Sequence, residues 1–286
     1  MAIRICLLLI LAAPLALAQN IRPTAAQVIE RIKQNVGVSW REPTVDTFKR
    51  GDPNTPINGI AVTMMATLDV LQRAVARGEN LIITHEPTFY GHFDSTATLA
   101  SEHDPVFEAK KTFIEDHHLV VWRFHDFWHE RKPDGIRTGM IRALGWGKFQ
   151  DPKNADVFNI PPTTLKGLAA TIKQQLGIHV MRVIGDPGAK VSRAGLTEGF
   201  PGFDQNRHTF QFEGVDVLVM GEDHEWETIA YAADAITARI RKGLIVLGHI
   251  PSEQAGMEEC ARWLKTFVKE VPIEFVPTAE PFWAPE

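Results

Sequence analysis

Short apolar runs alternate along this chain with amphipathic stretches at helical spacing. Leu81-Ile82-Ile83, Leu119 to Trp122 and Leu244 to Leu247 are continuously apolar and too short for helices, and Val215 to Met220 is apolar but for Asp216. They read as strands buried on both faces. Gly59 to Met65, Val180 to Ile184 and Ile273 to Val276 are expected as further strands. Between them, Val28, Ile32 and Val36 follow a capping Thr24, and Leu68, Leu71, Ala74 and Val75 share a face closed by Gly78. Val106, Ala109, Phe113 and Ile114 repeat the pattern in 105–116. Helices are also expected near 136–144, 163–176, 225–240 and 252–269. Residues 189–203 are interrupted by glycine and show no period, and Arg50-Gly51-Asp52-Pro53 reads as a turn. Such alternation predicts an α/β protein with parallel strands. Loop composition around 146–156 places a domain boundary there, giving an N-terminal α/β domain over 19–150 and a C-terminal one over 151–286.

Residues 1–18 change that picture only at the start. Arg4, the apolar run Ile5 to Ala13 and Ala16-Leu17-Ala18 form the three parts of a secretory signal, with cleavage expected before Gln19. The apolar run is shorter than the roughly 20 residues that span a bilayer. The expected product is periplasmic or secreted, with no membrane attachment after cleavage. Cys6 would leave with the signal, and Cys260 then stands alone on a helical pattern as a small core residue. The formal net charge of −5 and the absence of a basic stripe argue against nucleic acid as a partner.

The candidate chemistry sits where apolar runs end. His85 and Glu86 follow Leu81-Ile82-Ile83, His125 and His129 follow Leu119 to Trp122, and His249 and Glu253 follow Leu244 to Leu247. Ligands gather at the carboxyl ends of strands in open α/β sheets. A zinc-type divalent cation requires about four N, O or S donors, so no one strand end suffices. Taken singly, His85 also reads as a core histidine, His129 as a surface residue and Glu253 as a carboxylate facing a helix dipole.

Ile83 to Pro87, Trp122 to His129 and the Gly248-His249 to Ser252-Glu253 element together resemble the Nif-three-like dinuclear metal centre family, whose members are also described as type 2 homologues of GTP cyclohydrolase I. Asp216 through Gly221-Glu222 and the tail at Pro281-Phe282 extend the resemblance over most of the chain. It implies a Nif-three-like fold of two interlinked α/β domains, with a metal site at the carboxyl ends of strands. Two positions depart from the family. Its adjacent second histidine is Glu86 here, and its aspartate four residues after the middle histidine is His129. The implied ligands are therefore His85, Glu86, His129, His249 and Glu253, again three imidazoles and two carboxylates, with Glu253 the expected bridge.

The expected cofactor is a pair of divalent metal ions. Zinc suits these donors, while iron and manganese stay open. His125 is expected beside the site as a catalytic or orienting group, or else in core packing. Glu222 is expected either as an acid/base or as a helix-start cap. The expected function is metal-dependent hydrolysis of a small polar substrate; the alternative is a non-catalytic protein for metal storage, delivery or assembly. A homo-hexamer is implied by the resemblance alone.

Overall fold

A computed structural model describes residues 22–285, so the expected signal at 1–18 lies outside the described residues. In chain order the first elements are α1 (Ala25–Asn35), β1 (Phe48–Arg50), β2 (Ile60–Thr63), α2 (Leu68–Ala76), β3 (Leu81–Thr84), α3 (Ala97–Ser101), α4 (Pro105–Asp116), β4 (Val120–Arg123), α5 (Asp126–Glu130) and α6 (Gly135–Leu144). They are followed by β5 (Gln150–Asp151), β6 (Asn154–Thr164), α7 (Leu165–Leu176), β7 (Arg182–Ile184), β8 (Lys190–Thr197), α8 (Phe203–Gln211), β9 (Val217–Met220), α9 (Ala230–Thr237), β10 (Gly243–Val246), α10 (His249–Leu264) and β11 (Ile273–Phe275). The helix starts follow local chemistry. Thr24 and Gln27 form a capping box on α1, Thr67 caps α2, and Asp104 caps α4 with Pro105 just inside it.

The strands form two sheets. One has the order β1-β4-β3-β2-β11 and the other β5-β6-β8-β9-β10-β7. In the first, β4, β3, β2 and β11 are parallel and β1 is an antiparallel edge. In the second, β8, β9 and β10 are parallel and the outer strands antiparallel. The apolar runs are the central parallel strands, and every residue of β2, β3, β4, β9 and β10 is buried.

One feature differs from the expectation. The stretch read as a boundary loop contains the start of β6, an 11-residue strand whose outer half is exposed and carries Pro161-Pro162. Strand β11, near the end of the chain, returns to pair with β2 of the first sheet and so interlinks the two halves.

Helix α10 joins the two halves. It leaves β10 through Gly248, whose φ of +93° favours glycine, and then buries Met257, Cys260 and Leu264 among Trp122, Phe124 and Trp128 of the first half. The helix begins at His249, three residues earlier than the spacing predicts. It packs on α6 through two glycines. A Cβ at Gly139 would collide with the Ala255 carbonyl, and one at Gly256 with the Ile136 backbone.

Gly256→Ala is therefore expected to destabilise the fold. Overpacking costs about 1–3 kcal/mol, against a gain of roughly 1 kcal/mol in helix propensity. Urea unfolding should show a lower midpoint than wild type; an equal or higher midpoint would show that this crossing is not tight.

Candidate metal centre

Three turns deliver the side chains. After β3, the His85 backbone N–H donates to the Thr63 carbonyl (3.2 Å) and the Glu86 N–H to that of Met64 (2.9 Å), which fixes the exit direction. After β4, Asp46 receives the backbone N–H groups of His125 (2.6 Å), Asp126 (2.9 Å) and Phe127 (3.0 Å). It thereby caps α5, although burial pushes its carboxyl above the ordinary range. The short helix sets His125 and His129 one turn apart, and α10 does the same for His249 and Glu253.

Each of four imidazoles is anchored through Nδ1. His85 faces the Phe124 carbonyl at 3.1 Å, His125 faces Asp126 at 2.9 Å, His129 faces Asp134 at 3.0 Å and His249 faces Glu222 at 2.9 Å. A carbonyl oxygen accepts only, so His85 Nδ1 carries the proton and Nε2 keeps its lone pair. Anchoring of this kind fixes tautomer and ring direction in metal-ligating histidines. Two sets of donor atoms lie mutually within 4.8 Å: His85, His125 and His129, and His85, Glu86 and Glu253. His249 Nε2 hydrogen-bonds Glu86 Oε1 at 3.2 Å and lies 3.2 Å from Glu253 Oε2, off the hydrogen-bond direction.

The innermost contact tests whether a cation fits. His85 Nε2 and Glu253 Oε2 face one another at 3.6 Å, both buried, and neither has a hydrogen-bond partner among the described residues. Two acceptors with no proton between them repel, and each unpaired buried group costs roughly 1–3 kcal/mol. Protonating His85 does not resolve this, because burial and then the neighbouring His125 and His129 push its pKa well below the usual value. A cation between such donors would satisfy both. His249 behaves oppositely. Burial disfavours its charge, but Glu222, Glu253 and Glu86 outweigh burial and push it up to about 12. In the protein alone, its proton carries the positive charge that the carboxylates attract.

The structure thus brings together all five residues expected as ligands, and His125 with them. His125 Nε2 points at Glu86 Oε1 from 3.9 Å, so the ring faces the donors rather than the core. Glu222 does not cap a helix; it accepts from His249 Nδ1, which orients that ring. Of the histidines without a motif, His92 lines the cleft, while His117 caps α4 and stacks on Phe113. Asp223, His224 and Glu227 form a further cluster, but the Asp223 carboxylate already receives Asn206 (3.1 Å) and Thr228, so it belongs to local packing.

Several contributors were not expected from the sequence. Arg123, fully buried, donates to the His85 carbonyl (2.9 Å) and the His92 carbonyl, and pairs with Glu86 at 3.4 Å. Asp134 holds His129 while capping α6 through Ile136 (2.7 Å) and Arg137 (3.1 Å). Gly199, at φ +58°, lies so close that a Cβ would collide with Glu253 Oε1. Glu198 lines the same cleft, a cavity of about 690 Å³, and burial raises its carboxyl to about 7. The Asp134-Gly135 pair before an amphipathic stretch is a readable cap signal, and a lone arginine ending an apolar run asks for buried partners. Asp46 sits in an irregular loop and gave no such signal.

Comparison with known proteins converges on one group. The model of the Duf34/NIF3 (NGG1p interacting factor 3) family matches residues 31–281. A "GTP cyclohydrolase 1 type 2 homolog" of Chlamydia pneumoniae is 28% identical over 253 residues, covering 81% of this chain and 88% of the relative. Hypothetical protein SA1388 of Staphylococcus aureus superimposes with a TM-score of 0.70 at 18% identity, covering 92% of this chain and 99% of that one. A Bacillus cereus protein related to NIF3 gives 0.69 at 14% identity, with the same coverage of 92% and 99%. At these identities the two structures attest the fold.

Metal affinity should depend steeply on pH. The pKa of His249 is raised from 6.5 to about 12, so its protonated form stabilises the fold fully below about 6.5, and that contribution is lost as pH rises through about 12. A cation must displace this proton, so affinity for Zn²⁺ should rise about tenfold per pH unit between pH 6 and 8. Chelator competition across that range measures it, and a flat profile would show that His249 gives up no proton to the metal.

Proposed function

The chain belongs to the DUF34/NIF3 family, and from that premise we propose that it is a metal-dependent hydrolase of a small molecule, holding two divalent cations among His85, Glu86, His125, His129, His249 and Glu253. The facing acceptors of His85 and Glu253 are the observation that carries this reading. The two carboxylate oxygens of Glu253 support a bridging role. Oε2 faces His85 (3.6 Å) and His249 (3.2 Å), while Oε1 faces His129 (3.9 Å). The imidazole-rich donor set suits zinc, and its two carboxylates also suit iron or manganese.

Bound divalent cations would supply Lewis acidity and bring the pKa of water toward neutrality. The chain's own residues supply the rest. The cleft admits substrate beside the donors, and Glu222, Asp134 and Asp126 hold the imidazoles at fixed angles. Glu198 lines the cleft, and burial raises its carboxyl to about 7, so we assign it the transfer of a proton from attacking water to the leaving group. This role passes to Glu198 because His249 engages Glu222. A non-catalytic metal-holding protein would use the same donors, but storage needs no open cleft and no such carboxyl.

Elemental analysis of the purified protein should give about two metals per chain; a ratio near zero removes the proposal. On a panel of cyclic amides, esters and phosphoesters, Glu198→Gln should lower kcat about 10²-fold or more with metal content unchanged, while Glu253→Ala loses metal. Full metal with no turnover above the Glu253→Ala background would leave the metal-holding alternative.

From the N-terminal pattern we propose export, and from the family resemblance a homo-hexamer. Protein recovered from the periplasm or medium should begin at Gln19 and scatter light as six copies. A retained Met1 sinks export, and a monomer sinks the assembly.

A further inference from the structure

The charge and rim of the cleft point to a class of substrate. Resting on the hydrolytic reading above, we propose that the cleft takes a neutral or cationic molecule with a planar ring and rejects nucleoside polyphosphates.

Six carboxylates line the cleft: Glu86, Asp134, Asp156, Glu198, Glu222 and Glu253. Arg137 is the only lysine or arginine among the lining residues, and its terminal nitrogens are spent. Nη1 serves the Ala155 carbonyl (3.0 Å) and Asp156 (2.9 Å), and Nη2 serves the Leu196 carbonyl (3.1 Å) and Glu198 (2.9 Å). Arg123 lies behind Glu86, fully buried, with its donors turned to two carbonyls and that carboxylate. Side-chain recognition of a polyphosphate uses forked guanidinium or ammonium donors facing the ligand, and among the described residues this wall presents none to add to the cations. Six carboxylates against Arg137, the Arg123 behind Glu86 and two divalent cations leave the cleft close to neutral. A triphosphate would give up its hydration there with no strongly positive field to offset the loss.

The rim supplies the other half of the argument. Phe200 lines the cleft and is 45% exposed. Behind it His224 packs edge-on at 5.1 Å, and Trp226 stacks on His224 at 4.4 Å and 9°. His92 also lines the cleft and packs edge-on against the exposed Phe93 at 4.9 Å. Aromatic faces presented beside a polar, acidic floor suit a planar ring whose polar or cationic edge points inward.

Calorimetric titration of metal-loaded protein with guanosine, GTP and benzamidine tests this, with metal content measured by elemental analysis before and after each titration. Guanosine and GTP share a ring and differ in charge. Guanosine should bind at least tenfold more tightly than GTP, and Phe200→Ala should weaken guanosine and benzamidine about fivefold with metal content unchanged. GTP binding more tightly than guanosine would overturn the inference, as would an unchanged Phe200→Ala variant or no binding of either ring probe. A protein without metal would instead refute the centre itself, so the two failures are distinguishable.

Discussion

A lone pair on His85 Nε2 facing a carboxylate oxygen of Glu253, both sealed from water, is the constraint on which the rest of this molecule depends. Left to itself this contact is repulsive, and the fold nevertheless forces it. His85 cannot turn, because its other nitrogen is bound to the Phe124 carbonyl and the ring is fully buried. Glu253 cannot retreat, because it is buried on α10 with Gly199 against its carboxylate. Natural folds leave few buried polar groups unpaired, and those they keep ask for a role. A cation held between them would convert this repulsion into binding energy, and stability and metal affinity would then be linked quantities.

That contact is held from two directions. On one side the parallel strands β3 and β4 fix the starts of the turns carrying His85, Glu86, His125 and His129. On the other, β10 belongs to the second sheet, yet its following helix sinks into the aromatic core of the first. The glycine crossing of α6 and α10 sets the gap between the helix after His129 and the helix that starts at His249. The donors therefore come from both halves of the chain, and the centre exists only when the halves are docked.

How much of this was legible follows from what pattern can encode. The buried parallel strands and the capped helices announce themselves through apolar runs and period, and the strand ends then mark where donors collect. The strands outside the central parallel set do not. Strand β6 is half exposed, carries two adjacent prolines and pairs with β8, a partner more than twenty residues away, so nothing local distinguishes it from a loop. The return of β11 to the first sheet is likewise a long-range pairing with no local signature. Within the centre, donor residues could be named because histidine and glutamate advertise their chemistry. Asp46 and Glu198 could not, since a carboxylate's job depends on where its oxygens point.

Glu86 and His129, the two positions read from the sequence as departing from the family pattern, each face a group of opposite sign. The carboxylate at 86 is a buried negative charge, and Arg123 stands against it at 3.4 Å from the neighbouring strand. The imidazole at 129 faces the Asp134 carboxylate at 3.0 Å. Burial opposes the charged form of His129, and Asp134 outweighs it, so the ring is pulled toward the cationic form rather than left neutral. Each of the two residues is thus paired with a group of opposite sign that the described chain places behind it. The balance of charge around the donors is kept by these supporting residues as well as by the donors themselves.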